Sequence, residues 1–251
     1  MSDDYVIETQ GLSKHFMGFT AVNNVNLRVR RGTIHALIGP NGAGKTTCFN
    51  LITKFLVPSD GRIVYKGRDI TRLKPAAVAR LGMVRSFQIS AIFPHLSVRD
   101  NVKVALQARE GQSYRFWRPL KVLDRLNGRA DELLAAVGLS DAADELAVEL
   151  PYGRKRALEV STTLALKPEV MLLDEPTAGM GHEDVARIAA LIRSVARNRT
   201  ILMVEHNLGV VAELSDVITV LQRGRILAEG TYDQVSRHPD VIQAYMGTGH
   251  A

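Results

Sequence analysis

The sequence predicts an α/β protein: a mixed sheet flanked by helices, with an N-terminal antiparallel β-region and an inserted helical subdomain. Two observations carry that expectation. Short β-branched or apolar runs alternate with segments of helical period on both sides of a stretch that is helical throughout. One such run, "TIHALIGP", ends in a glycine-rich turn that opens directly into a helical pattern, "NGAGKTTCFN". The 251 residues, 46% of them apolar, suffice for a sizeable core and suit a core with an insertion better than two equal domains.

In chain order, "YVIETQ" and "NVNLRVRRG" read as strands from their partial alternation, the second closed by Gly32. "TIHALIGP" has the continuous apolar character of a buried parallel strand. "KTTCFNLITKFL" follows at helical period until "VPSDG" breaks it, and "GRIVYKGRDI" reads as an edge hairpin. From Leu96 the pattern turns helical. Ser97 with Asp100 three residues on resembles a capping box opening "VRDNVKVALQARE", and "GRADELLAAVGL" is amphipathic up to Gly138. Between them, residues 109–121 include the irregular "GQSYRFWRPLK" with the single tryptophan, Trp117; it reads as a surface excursion packed by its own aromatics or as a partner contact. Alternation resumes after Lys167: strand "EVMLLDEP", helix "HEDVARIAALIRSVARN", strand "TILMVE", helix "LGVVAEL", then a strand pair, "DVITVLQRGRILAEG", turning at Arg223 and Gly224.

A lone cysteine, Cys48, excludes a disulfide framework. No charged-then-apolar leader opens the chain, and no apolar run approaches the ~18 residues of a membrane span. The expectation is a soluble protein that needs a partner to hold it at a membrane. The net charge of +6 suits nucleic acid, anionic headgroups or phosphate ligands, and equally a surface with surplus arginine. No basic tract and no basic patch interleaved with aromatics marks a nucleic-acid arm, so no nucleic-acid partner is expected.

Gly39-x-x-x-x-Gly44-Lys45-Thr46 fits the P-loop pattern in the right context, strand before and helix after. Phosphates need several backbone N–H donors converging on them, so the chain must approach closely and adopt positive φ, which glycine permits. The cradle comprises Gly39, Pro40, Asn41, Gly42, Ala43, Gly44, Lys45, Thr46 and Thr47. Lys45 is expected to reach the β- and γ-phosphates and Thr46 to ligate Mg²⁺, with the helix N-terminus adding partial positive charge. At the end of the apolar run "VMLL", Asp174 is placed to hold Mg²⁺ through water and Glu175 to orient or deprotonate the attacking water. Pro176 is expected to keep Glu175 extended.

With these residues in this order, the chain resembles the ATP-binding subunit of ABC transporters from "GLSKHF" to "DVITVLQRGRILAEG". The resemblance implies that Phe16 stacks on adenine, that Gln88 in "VRSFQ" senses Mg²⁺ and the γ-phosphate, and that His206 in "VEHNL" contacts the γ-phosphate. It also identifies "LPYGRKRALEVSTTLALKPEVMLLDEPTAG" as the signature helix and the run into the catalytic strand. Within the superfamily the chain most resembles the branched-chain amino acid importer ATPase of the G type, on "AVNNVNL", "VRSFQ", the insertion around "SYRFWRPL", "PYG" and "VEHNLGVV"; amide and urea importers look similar.

This likeness implies one ABC ATPase domain with a P-loop NTPase core (1–95 and 166–251) around a helical subdomain with the signature (96–165). It implies ATP and Mg²⁺ as cofactors, and two ATPase subunits, identical or different, sandwiching two ATP molecules. Each signature (here Pro151, Tyr152, Gly153 and Arg154) would face the opposite chain's nucleotide. Permease subunits would receive the motion at the cytoplasmic face of the inner membrane, with a solute-binding protein engaged indirectly. Ile89, Ile92 and Phe93 either line the permease groove or pack against the helical subdomain. Two departures stand out. Pro151 replaces the usual serine, and "AGMG" at 178–181 lacks the aspartate that many relatives carry. Arg154 stands where glutamine is usual, either supplying compensating charge or lying on a solvated helix face. A lipid-extracting or exporter cassette, or a soluble ABC ATPase acting on nucleic acid or ribosomes, is the alternative.

Overall fold

The computed structural model describes residues 4–86, 92–110 and 124–246; Gln88, Ile89 and Trp117 lie outside them. The chain opens with β1 (Tyr5–Phe16), β2 (Phe19–Val25), β3 (Arg28–Arg30), β4 (Ile34–Ile38), α1 (Lys45–Ile52), β5 (Asp60–Tyr65), β6 (Arg68–Asp69), α2 (Pro75–Arg80) and β7 (Met83–Ser86). Three helices follow, α3 (Val98–Arg109), α4 (Asn127–Ala136) and α5 (Tyr152–Ala165). The last third alternates: β8 (Val170–Asp174), α6 (His182–Ala196), β9 (Thr200–Val204), α7 (Leu208–Leu214), β10 (Val217–Gln222) and β11 (Arg225–Gly230), before α8 (Tyr232–Ser236) and α9 (Pro239–Met246).

Two sheets result. An antiparallel one runs β2-β1-β5-β6 with β3 also on β1; the other runs β11-β10-β4-β9-β8-β7, parallel except for the β10–β11 pair. The parallel strands are apolar on both faces because both are covered. Period-two alternation sorts their side chains into two cores. Ile34, Ala36 and Ile38 of β4, Met171 and Leu173 of β8, and Ile201 and Met203 of β9 meet α3–α7. Leu37, Val170, Leu172, Leu202 and Val204 meet α1 and the antiparallel sheet.

Local chemistry explains where the elements differ from the sequence expectation. "NVNLRVRRG" is two strands, because Asn24 takes φ 53° and the chain breaks after Val25. α1 stops at Ile52 rather than running to Leu56, since Lys54 turns left-handed at φ 67°. The turns Lys66-Gly67 and Arg223-Gly224 put both residues at positive φ, the geometry that matches strand twist in two-residue hairpins. Ser97 caps α3 as expected, its Oγ accepting from Asp100 N at 3.0 Å. Buried Asn101 one turn on donates to the carbonyls of Phe93 and Ser97 and accepts from Phe93 N, fixing the segment before the helix.

His35, fully buried on β4, illustrates the polar cost of this core. Thr219 Oγ1 on β10 donates to Glu229 Oε2 (2.7 Å), so it accepts from His35 Nε2 (2.7 Å), which assigns the proton to Nε2. Nδ1 is left without a partner among the described residues, and burial pushes the imidazole pKa down to about 4. The folded state therefore binds fewer protons than the unfolded state between the ordinary value of 6.5 and about 4, and stability falls as pH drops through that window. The loss approaches about 3 kcal/mol at the acid end. Urea unfolding at pH 7 and pH 4.5 is expected to show a steeper decline for the native chain than for His35→Leu, which removes the titrating group. Equal declines would remove His35 as the cause.

Candidate functional site

β4 delivers the glycine-rich loop at its C-terminal end, with Gly39, Gly42 and Gly44 at φ 148°, 75° and 96°. A Cβ on Gly39 would lie 2.1 Å from the Leu221 carbonyl oxygen, and one on Gly44 2.3 Å from that of Ala21, so neither position admits a side chain. Gly44 is also the N-cap of α1, with no side chain to satisfy the first-turn N–H groups of Lys45, Thr46 and Thr47. They remain available to an anion at the helix N-terminus. Lys45 lies largely buried across the loop, its Nζ donating to the carbonyls of Gly39 (2.7 Å) and Pro40 (2.9 Å). Burial lowers its pKa, and the nearby Glu175 carboxylate partly offsets that. A cation held by backbone carbonyls beside the N–H groups of the first turn of α1 fits a polyphosphate.

Asp174 closes β8 and Glu175 follows it. Glu175 is not extended: its φ is 49°, and its N–H donates to Val204 O (2.9 Å) on β9. A residue before proline ordinarily favours the extended region, so the positive φ of Glu175 goes against that preference and is held by its bond to β9. This turn brings Glu175 Oε1 to 2.7 Å from His206 Nε2, at the end of the neighbouring strand. Such a residue in a sparsely populated conformation, bonded to an imidazole and close to the loop lysine, is suited to positioning water at a phosphate. Phe16 sits half-exposed at the β1–β2 turn, stacked on Phe19 with centroids 5.5 Å apart and the Lys14 ammonium over its ring.

Of the four signature residues, Pro151 and Tyr152 are exposed, Arg154 is half-buried and Gly153 is buried. Pro151 is the N-cap of α5, at φ −56° and ψ 157°, and offers no capping side chain. Gly153 is buried: a Cβ there would lie 2.6 Å from Asp184 Cγ on α6. Arg154 pairs with Asp141, and that hydrogen bond holds the Asp141 carboxyl below its usual range. Tyr152 donates its hydroxyl to Ala178 O (3.2 Å), joining the signature helix to the segment after Pro176. Ile92 packs against the core, while Phe93 is exposed beside Leu96, Leu146 and Val148.

Sequence reasoning missed two residues. Arg85, on β7, donates from Nη2 to Asp174 Oδ2 at 2.5 Å and from Nη1 to Asn50 Oδ1 at 2.6 Å. Buried Glu205 accepts from the Thr177 hydroxyl and from His206 N (3.0 Å), tying the loops after β8 and β9 together; burial raises its pKa. The available signal was a charged residue within or directly after an apolar strand, "MVRS" and "TILMVE".

A phosphate loop between a parallel strand and a helix, with carboxylates at the end of a strand two places away, defines a P-loop nucleotide-binding protein. The profile for "ABC transporter" matches residues 22–178, and that for "Branched-chain amino acid ATP-binding cassette transporter" matches 225–251. The high-affinity branched-chain amino acid transport ATP-binding protein LivG of Escherichia coli K12 is 37% identical over 250 residues, covering 96% of this chain and 98% of LivG. BraF of Pseudomonas aeruginosa, which carries the same description, is 36% identical over 249 residues, with 96% and 98% covered. The ADP conformation of MJ1267, an ATP-binding cassette of an ABC transporter, superposes with a TM-score of 0.84 at 28% identity, covering 97% of this chain and 99% of that one. The chain belongs to the ATP-binding cassette family of ABC transporters.

Lys45→Ala, which removes the cation facing the phosphates, is expected to weaken nucleotide binding and lower hydrolysis by about 10²–10³-fold or more. The measurement is steady-state phosphate release with a circular dichroism control for folding. Near-normal turnover in a folded variant would exclude Lys45 from the reaction.

Proposed function

We propose that this chain is the ATP-hydrolysing subunit of an importer for branched-chain amino acids, working on separate permease subunits at the inner face of the cell membrane. The observation that carries the reading is the Glu175–His206 pair, 2.7 Å apart and facing the lysine of the phosphate loop. The substrate class rests on the printed descriptions of LivG and BraF and on the profile at 225–251. In this reading Phe16 stacks on adenine and residues 39–47 cradle the phosphates. Thr46 and Asp174 hold Mg²⁺, with Gln88, and His206 senses the γ-phosphate. The all-oxygen donor set, with Asp174 as its one carboxylate, suits Mg²⁺, a hard ion that keeps several waters and is usually bound through one or two carboxylates plus the phosphates. Bound there, Mg²⁺ neutralises charge developing on the transferred phosphoryl group.

Residues 96–165 act as the arm that carries the signature and meets the permease. Support for docking comes from exposed Phe93, Leu96, Leu146 and Val148, which are laced together by Ala147 N to Leu96 O (3.0 Å) and Val148 N to Pro94 O (2.9 Å). Among the described residues no helix is long and apolar enough to cross a membrane, so membrane work falls to the partners.

Glu175→Gln keeps the ligand groups but removes the base. It is expected to bind ATP near normally, hydrolyse it at least about 10²-fold more slowly, and persist as a dimer on size exclusion with ATP but not ADP. Wild-type turnover in this variant would remove Glu175 as the base. Transport is tested by radiolabelled leucine uptake in cells carrying the chain with its permeases, where loss with Glu175→Gln is expected.

Pro151 lacks the hydroxyl that the usual serine offers to the γ-phosphate, so the ATP-bound dimer of this chain is weaker than a serine signature would make it, and a different ATPase chain is the better partner. In the Glu175→Gln background, Pro151→Ser is expected to tighten ATP-dependent dimerisation by about 10- to 100-fold, the worth of one hydrogen bond to a charged acceptor. Light scattering across a concentration series measures this. An unchanged or weaker dimer would mean that the proline costs nothing.

A further inference from the structure

We propose that Arg85 is a positioning residue for Asp174: it holds one carboxylate oxygen so that the other is presented to the metal–nucleotide. It also ties that carboxylate to α1, the helix opened by the phosphate loop. The inference rests on the placement of Mg²⁺ at Asp174 given above. The Arg85 side chain is 6% exposed and that of Asp174 12%. Nη2 donates to Asp174 Oδ2 (2.5 Å), while Nη1 donates to Asn50 Oδ1 (2.6 Å) and Thr53 Oγ1 (3.1 Å), both on or directly after α1. Thr53 Oγ1 in turn donates to Phe49 O at 2.9 Å, fixing that acceptor to the helix backbone. The rings of Phe49 and Phe55 lie 4.9 Å and 5.2 Å from the guanidinium carbon, so aromatic contacts restrict the group as well. Among the described residues Asp174 Oδ1 receives no hydrogen bond.

A buried ion pair alone is weak evidence for anything beyond burial. Here the shared partners matter. One planar fork spans the carboxylate on β8 and two acceptors on α1, a geometry that arginine provides and lysine, a point charge, does not. Outer partners of metal-holding carboxylates typically alter metal affinity by about 10- to 100-fold when removed. Arg85 also stands on β7, three residues before Gln88 in the sequence.

The test uses the full chain and a fluorescent ATP analogue, titrated first in EDTA and then with Mg²⁺. Arg85→Lys keeps the charge but loses the span. It is expected to raise the Mg²⁺ half-saturation about tenfold while nucleotide affinity in EDTA stays within about twofold. Thr53→Val, which removes one acceptor and leaves Arg85, is expected to move the half-saturation in the same direction by about two- to threefold, and it covers the case in which Arg85→Lys fails to fold. An unchanged Mg²⁺ titration in folded Arg85→Lys overturns the proposal. So does tighter Mg²⁺ binding in Arg85→Met with no change in Arg85→Lys, because the guanidinium would then act only as charge. Asp174→Asn separates the two levels. If it leaves the Mg²⁺ dependence intact, the metal placement fails and the role of Arg85 falls with it; if it abolishes that dependence, the Arg85 variants alone decide.

Discussion

Three backbone segments meet at the phosphate loop more closely than any side chain allows. Cβ atoms on Gly39, Gly44 and Gly224 would lie 2.1, 2.3 and 2.7 Å from carbonyl oxygens of Leu221, Ala21 and Ala21 again. Ala21 belongs to the antiparallel sheet and Leu221 to the parallel one, so the loop is where the two sheets are joined. Gly224 N donates to Ala43 O (2.9 Å) and Asn23 N to Gly224 O (2.8 Å), completing the junction with backbone groups alone. The shape of the cradle is inherited from this contact, which rests on neighbours already fixed by their own strands. Its geometry is therefore set before any ligand arrives.

That junction also places the aromatic ring. β2 is locked to the loop through Ala21 and Asn23, and it pairs in antiparallel register with β1, opposing Phe16 to Phe19 at the hairpin end. The Phe16 ring is thus carried at the end of β1, the hairpin neighbour of the strand that buttresses the phosphate loop. On the other side the logic is strand adjacency. β8 and β9 are parallel neighbours with Asp174 opposite Val204, so Glu175, one residue beyond β8, and His206, two beyond β9, emerge side by side. The Glu175 N–H extends the pairing by one residue, and buried Glu205 closes the arrangement through Thr177 and the His206 N–H. The left-handed turn at Glu175 is over-determined by these bonds, the condition under which a sparsely populated conformation persists.

Most of the parallel core was legible in the sequence, because continuous apolar runs between turn residues have few other readings. The phosphate loop was legible for a sharper reason: glycines at positions 39 and 44 answer to sterics that nothing else satisfies. What escaped was short or relational. α2 and β7 span six and four residues, too few to establish a period, and α8 and α9 follow a strand pair with little pattern of their own. The extended conformation expected of Glu175 from the following proline is overridden locally, because its N–H is held by Val204 O on the neighbouring strand. Arg85 and Glu205 became visible only once β7, α1 and the loops after β8 and β9 were brought together. A charge in an apolar strand says that a partner exists and leaves open which one.

The signature helix shows the same dependence on neighbours, with a different result. A helix N-terminus offers an anion its free N–H groups; here the side chains around the first turn of α5 are engaged within the chain. Asp184 covers Gly153, the Tyr152 hydroxyl donates to Ala178 O, and Arg154 is paired with Asp141. The Arg154–Asp141 pair is exposed, and exposed pairs are weak tethers, so Arg154 is the one group of the three that can be released at little cost. Gly153 cannot be freed without moving α6, and Tyr152 also accepts from Arg156, which is itself paired with Glu159. In the proposed two-subunit sandwich, compensation for Pro151 would fall to the Arg154 guanidinium and to the dipole of α5. Both act through charge, and neither reproduces the directed hydroxyl of a serine.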